Sequence, residues 1–220
     1  SVVNAAMNTQ LALDRLPITH LLLLGAAGGV NPSREAGDVV VPKAWAHHNE
    51  AAYVNPTPGG QGWEVPPGGG MGLPNFGMVF PEAVPVQRLG GGVTVTLPVF
   101  EADRGMVAAA TKVAGDIATD QPGGSLRVIP GGTGVSGPAF VANREYRAWL
   151  FHAWRAEVVD LESAAVAQVC WANGIPFVSV RGVVGLAGGG GVRRPTSENP
   201  EPPVVSASRV LVAMLRQLPP

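Results

Sequence analysis

The sequence predicts an α/β fold in which helices cover both faces of a parallel or mixed sheet. Three observations predict it. Short apolar runs of strand length alternate with longer stretches of helical spacing along most of the chain. Residues 19–24 end in consecutive leucines with no polar alternation, as expected of a strand buried on both faces. Finally, Val158-Val159-Asp160-Leu161-Glu162-Ser163-Ala164-Ala165 passes from β-forming residues through two acids into small residues that open a helix. Carboxylates at such a junction sit at the mouth of the sheet, where open α/β folds bind their ligands.

Taken in order, residues 2–16 carry Val2, Val3, Ala6, Met7, Leu11 and Leu13 at helical spacing, and Pro17 closes the helix. Nothing before it resembles a cap or an initiating strand, so the sheet is expected to lack its N-terminal strands in this chain. A strand over 19–24 precedes the glycine-rich turn Gly25-Ala26-Ala27-Gly28-Gly29, and a second strand over 37–41 stops at Pro42. Residues 43–54 are ambiguous, with Trp45 and Tyr53 favouring extended structure. Residues 55–92 form a Gly/Pro-rich loop insertion with a short strand or lid element at 76–80. A strand over 94–99 is followed by a helix over 103–118, marked by Met106, Ala110, Val113 and Ile117. Beyond it the pattern predicts a strand over 126–129, a helix over 144–154, a strand over 157–161 and a helix over 163–172. Asn173-Gly174 ends that last helix as a C-cap should. A strand over 176–184 and a helix over 204–218 complete the chain. No internal repeat interrupts this order, and the 220 residues read as one domain.

Composition narrows the function classes. A formal net charge of −1 lacks the basic excess of a nucleic-acid binder. No apolar run reaches the ~18 residues that span a bilayer, and the start of the chain has no signal-peptide pattern. Much of the excess of glycine (30) and proline (21) falls at 55–92 and 185–203, both read as loops. With Cys170 as the single cysteine, an intramolecular disulfide is impossible, and its expected place is a buried helix face. The histidines show no metal spacing: His20 and His152 stand alone, and adjacent His47 and His48 would point to opposite faces of a strand.

Gly132-Thr133-Gly134-Val135-Ser136-Gly137 matches the dinucleotide-binding pattern G-x-G-x-x-G. That pattern needs its helix to begin within the glycines, whereas Pro138 follows them and helical spacing resumes only near Arg144. A glycine-rich turn is the better reading, with a nicotinamide-dinucleotide site as the weaker alternative. At Gly25 to Gly29, backbone amides could approach a sugar or an anion, or the segment could be a tight turn. Glu162 fits either a helix-start acid stabilised by the dipole or a ligand contact. Arg181 could pair with Glu162 or with Asp160.

Three segments in this order and spacing resemble the nucleoside phosphorylase and nucleosidase superfamily. The first is Val3-Asn4-Ala5-Ala6 through Leu24-Gly25-Ala26-Ala27-Gly28-Gly29 to Gly37-Asp38-Val39-Val40-Val41-Pro42. The second is Ser136-Gly137-Pro138-Ala139-Phe140-Val141, and the third is Val159-Asp160-Leu161-Glu162-Ser163-Ala164-Ala165-Val166-Ala167 with Arg181. Within the superfamily the chain looks most similar to 5′-methylthioadenosine/S-adenosylhomocysteine nucleosidases and plant bark storage proteins. The resemblance implies a three-layer α/β/α fold around a mixed, partly barrel-like sheet, a homodimer or larger homo-oligomer, and a small-molecule adenine nucleoside or thionucleoside as ligand, with no cofactor. It implies that Glu162 binds the ribose hydroxyls, that Leu161 packs on the sugar, and that Ala26, Ala27 and Gly28 line the sugar side. Phe140 would stack on the base and the backbone of Val141 would read its edge. Hydrolysis of the N-glycosidic bond is the implied chemistry. Three departures matter. The family's general-acid aspartate would fall at Gly185, and the phosphate-binding arginine of the phosphorylases would fall near Leu23. The strands carrying the water-activating glutamate would precede Ser1. A catalytically impaired, storage-type relative is therefore the alternative expectation.

Overall fold

The structure is a computed structural model that describes residues 1–120, 126–189 and 202–218. The chain begins with helix α1 (Val2–Arg15), followed by β1 (Leu21–Gly29), β2 (Val39–Val41), β3 (Ala44–His47) and β4 (Ala51–Tyr53). Next come β5 (Val79–Pro81), β6 (Val84–Val86), β7 (Val95–Leu97) and β8 (Phe100–Glu101), then α2 (Arg104–Asp120). The second half runs β9 (Val128–Pro130), β10 (Thr133–Ser136), α3 (Arg144–Trp154), β11 (Ala156–Asp160), α4 (Ser163–Asn173), β12 (Phe177–Leu186) and α5 (Pro203–Leu215).

Eight strands form one mixed sheet in the order β8-β3-β10-β11-β1-β12-β2-β9. It curls into a half-barrel flanked by helices. Strand β11 runs parallel to β10 but antiparallel to β1, which in turn runs parallel to β12. Alternation along each strand divides the core between the two faces. On one face Val40, Trp45, Val158, Phe177 and Val183 pack with Ala164, Ala167 and Cys170 of α4. On the other, Val39, Val41, Val178 and Val180 meet α2 and α5 through Met106, Val113, Val210 and Met214. A third cluster joins Ala46, Val135 and Val159 to Trp149, Leu150 and Trp154 of α3.

Helix ends follow their sequence signals. Asn143 caps α3, its side chain accepting from Tyr146 N at 2.7 Å. Asp103 does the same for α2, accepting from Met106 N at 2.9 Å. Gly174 ends α4 in the left-handed region at φ 71°, where a side chain would be strained.

Two expectations need correction. The glycines at 25–29 are not a turn: β1 runs straight through them. Their smallness admits close neighbours, since a Cβ on Gly25 would lie 1.8 Å from a terminal guanidinium nitrogen of Arg181. The second glycine-rich stretch is likewise no turn. Thr133–Ser136 is strand β10, and the ring of Trp45 covers Gly134, 2.6 Å from where a Cβ would stand. Pairing against β3 and β11 thus decides the conformation, and the nearest helix begins only at Arg144. The pattern's own helix therefore does not follow directly on the glycines; it is the first turn of α4 that reaches the end of β10, where Ala164 N donates to Ser136 Oγ at 2.9 Å. Within 55–92, strand β5 overlaps the short element expected at 76–80 and pairs with β4, and a further strand, β6, pairs with β7. Of the loop expected over 185–203, residues 190–201 lie outside the described residues.

Candidate functional site

The candidate site grows from the register between β1 and β11. These strands pair only at Gly28↔Val159 and Gly29↔Val158. Beyond that contact Ala27 and Ala26 continue on one strand and Asp160, Leu161 and Glu162 on the other. A cavity of about 500 Å³ opens among these residues. The loop from Ala139 to Ala142 and the end of β12, from Val184 to Gly189, close its remaining sides. All seven residues expected to contact ligand line it: Ala26, Ala27, Gly28, Phe140, Val141, Leu161 and Glu162. Phe140 is 79% exposed and so has a free ring face, whereas Val141 is buried.

The two acids at the mouth have different surroundings. Asp160 is buried, and both of its oxygens are fully engaged. Oδ1 accepts from Ser136 Oγ at 2.5 Å and from the backbone N–H groups of Glu162 and Ser163, both at 3.1 Å. Oδ2 accepts from Ser163 Oγ at 2.5 Å and pairs with Arg181 Nε at 2.8 Å. Arg181 also donates to Ser163 Oγ from Nε at 3.0 Å and from a terminal nitrogen at 2.7 Å. Ser136 Oγ in turn accepts from Ala164 N at 2.9 Å. This closed network fixes the first turn of α4. Of the two pairings open to the sequence, Arg181 makes both, a short one with Asp160 at 2.8 Å and a long one with Glu162 at 3.9 Å. Glu162 stands at the N-cap with no capping hydrogen bond from its side chain, which is 37% exposed. Its carboxylate lines the cavity and makes long ion pairs with the Ser1 ammonium at 3.8 Å and with Arg181 at 3.9 Å.

The opposite wall is apolar. Between Ala27 and Gly29 the pairing with β12 slips, so that Val183 faces Ala27 but Leu186 faces Gly29. This bulge holds Gly185 at φ 131°, a conformation that L side chains rarely adopt. The backbone at Gly185 therefore has a conformation that favours glycine. Among the described lining residues the remaining ionisable side chain is Arg144, whose Nε donates to Gly188 O at 3.2 Å. Leu23 packs in the core beside α4, so no cation stands there.

Composition and spacing did not single out Ser136 and Ser163 as the partners of Asp160. The signal available was D-x-x-S at a strand–helix junction, where an Asp side chain accepts from the N–H groups that follow it. Nor did they disclose the pairing of His48 with Tyr146. His48 is fully buried, with Nδ1 2.9 Å from the Tyr146 hydroxyl. Burial, assisted by neighbouring His47, pushes the His48 pKa down to about 4. Burial also lowers that of His47, whose ring lies on the other face against Phe100. As expected, Cys170 is fully buried on α4, and burial pushes its thiol up to about 12. No group of three potential metal ligands occurs among the described residues, and no helix described is long and apolar enough to cross a membrane.

Fold and cavity together define an α/β protein with a cavity where strand direction reverses, the place where such folds bind small molecules. The Phosphorylase superfamily family model matches residues 1–217, and the chain belongs to that superfamily. Over 187 residues it is 28% identical to the 5′-methylthioadenosine/S-adenosylhomocysteine nucleosidase of Bacillus thuringiensis (strain Al Hakam) and 27% identical to that of Bacillus licheniformis. Each match covers 84% of this chain and 64% of the relative, so the match spans just under two thirds of those proteins. Among solved structures, the nucleosidase of Colwellia psychrerythraea 34H in complex with adenine superposes with a TM-score of 0.66 at 23% identity, covering 99% of this chain and 74% of that one. The Neisseria meningitidis nucleosidase in complex with methylthio-immucillin-A gives 0.65 at 23%, covering 99% and 78%. Futalosine hydrolase of Helicobacter pylori strain 26695 gives 0.64 at 19%, covering 99% and 76%. These structures share the fold.

Proposed function

We propose that this chain binds an adenine nucleoside or thionucleoside in the cavity between β1 and β11. In this reading the Glu162 carboxylate holds the ribose hydroxyls, and Ala26, Ala27, Gly28 and Leu161 pack around the sugar. Phe140 stacks on the base while the Val141 backbone meets its edge. One observation carries the proposal: these residues converge on a single cavity where Asp160 is saturated by hydrogen bonds, whereas Glu162 keeps a part-exposed carboxylate held only by long ion pairs to the Ser1 ammonium at 3.8 Å and to Arg181 at 3.9 Å. Relatives named as nucleosidases support the choice of ligand. Breaking an N-glycosidic bond builds positive charge on the sugar, and a fixed carboxylate at the hydroxyls lowers that barrier. Any cleavage is hydrolytic, because phosphorolysis needs a cationic cradle and Leu23 is packed in the core. Adenine nucleosides are turned over slowly or not at all, since the Gly185 wall offers the base no proton.

Calorimetry with adenosine and 5′-methylthioadenosine tests the reading. Glu162→Gln should weaken binding by about 1–3 kcal/mol, the range for a charge-assisted hydrogen bond. Equal affinities for the two proteins would take Glu162 out of the site.

A further inference from the structure

The loop that carries Phe140 and Val141 joins the end of β10 at Ser136 to Asn143, the N-cap of α3. Val141 packs in the core with Trp149 and Leu150. Phe140 is exposed, so the backbone on either side sets where its ring stands. His48 reaches both ends of this loop. It follows β3 directly, and its backbone N–H donates to Ser136 O at 3.0 Å, extending the β3–β10 ladder to the point where the loop begins. The side chains of His48 and Asn49 press on Gly137, where a Cβ would lie 2.6 Å from His48 Nε2 and 2.1 Å from Asn49 Oδ1. At the far end, His48 Nδ1 is 2.9 Å from the Tyr146 hydroxyl, and Tyr146 N donates to the Asn143 side chain at 2.7 Å. The Tyr146 ring packs on Phe76 and Trp149, with centroids 5.1 and 4.9 Å away. The imidazole itself is fully buried and is not part of the cavity lining.

We propose that His48, through its hydrogen bond to Tyr146, is a positioning residue that sets the place of Phe140 at the cavity. The proposal rests on the base-stacking role given to Phe140 above. One buried side chain ties together the two anchors of the loop without touching a ligand. A loop fixed in advance spares the base the cost of ordering it on binding. Loosening the tie returns that cost to every ligand that carries the base. The sugar side is insulated from the effect. Ala26, Ala27 and Gly28 belong to β1, and Glu162 stands at the β11–α4 junction, which the Asp160 network holds instead.

Calorimetry with adenine, the bare base, and with adenosine tests this. Tyr146→Phe removes one hydroxyl and keeps the ring. It should raise the dissociation constants of both ligands by a similar factor, about 3–10-fold, the worth of one hydrogen bond. Glu162→Gln, by contrast, should weaken adenosine and leave adenine unchanged. In a Phe140→Ala background the effect of Tyr146→Phe on adenosine should fall below ~2-fold, because a residue acting through that ring has nothing left to position. His48→Leu breaks the same tie from the other side and gives the same reading where Tyr146→Phe fails to fold; urea denaturation establishes which variants are folded. Unchanged affinities in a folded variant would overturn the inference and leave the nucleoside-binding reading intact. An undiminished effect in the Phe140→Ala background would overturn it equally. A parent chain that binds neither adenine nor adenosine would remove both.

Discussion

Asp160 and Glu162 stand two residues apart at the same strand–helix junction, yet the fold treats them in opposite ways. Asp160 is enclosed by Ser136, Ser163, Arg181 and two backbone N–H groups. Glu162, one side-chain alternation further on, reaches the cavity with 37% of its side chain exposed. The difference teaches that a carboxylate at a sheet mouth is not by itself a ligand group. An acid with all its lone pairs satisfied has become part of the scaffold. An acid left half-exposed beside that scaffold has the freedom and the fixed position a ligand contact needs. The same contrast explains the glycine at 25, since the Arg181 guanidinium that closes the Asp160 network occupies the space of a Cβ there.

Breaking the closed half of the pair should have the largest effect. Asp160→Ala leaves Arg181 buried without its partner and strips Ser136 and Ser163 of an acceptor. Removing one member of a buried ion pair costs about 3–5 kcal/mol. Urea denaturation should show a loss of that size, and the variant is expected to fold poorly at 37 °C if the chain has ordinary marginal stability. A loss under ~1 kcal/mol would mean that the network is weaker than its geometry indicates.

The His48–Tyr146 pair extends the comparison to acid conditions. His48 titrates near 6.5 in an unfolded chain but at about 4 in the fold. Between these values the unfolded chain binds a proton that the folded chain refuses. This contribution is thus fully present above pH 6.5 and is lost as pH falls toward 4, amounting to about 3 kcal/mol at most. The lowered pKa of His47 acts in the same direction. Urea midpoints measured from neutral pH down to about pH 4 should decline accordingly. His48→Gln, although less stable at neutrality, should decline less steeply. An identical slope in both proteins would assign the acid sensitivity to other groups.

Much of this architecture was legible because local signals and tertiary packing agree. Helix α3 spans Arg144 to Trp154, matching its sequence pattern end to end, and Gly174 closes α4 as Asn173-Gly174 foretold. Strand β10 was hidden because its glycines look like turn residues. The reason for one of them, the Trp45 ring lying over Gly134, comes from a strand far away in sequence. Strand β1 was cut short for the same kind of reason, with Arg181 lying on Gly25. At the cavity, the junction that carries the acids was visible in the apolar-to-acidic switch at Val159-Asp160. Their division of labour was not, because Ser136 and Arg181 arrive from β10 and β12, on other strands of the sheet.

The smallest effect falls on the open half of the pair. Glu162→Gln keeps the size and polarity of the side chain and disturbs no hydrogen bond within the network. What it removes is a charge near the N-terminus of α4 and two long ion pairs, to the Ser1 ammonium at 3.8 Å and to Arg181 at 3.9 Å. Dipole and surface-charge terms of this kind are worth about 0.3–1 kcal/mol, reduced by solvent at a side chain this exposed. Urea denaturation should therefore place the variant within ~1 kcal/mol of the parent, several-fold less than the cost of Asp160→Ala. This also makes Glu162→Gln the interpretable variant for ligand binding, since a folded, nearly unperturbed protein isolates the carboxylate's role in the site. If Glu162→Gln instead destabilised the protein as much as Asp160→Ala, Glu162 would belong to the scaffold. The distinction between the two acids would then collapse.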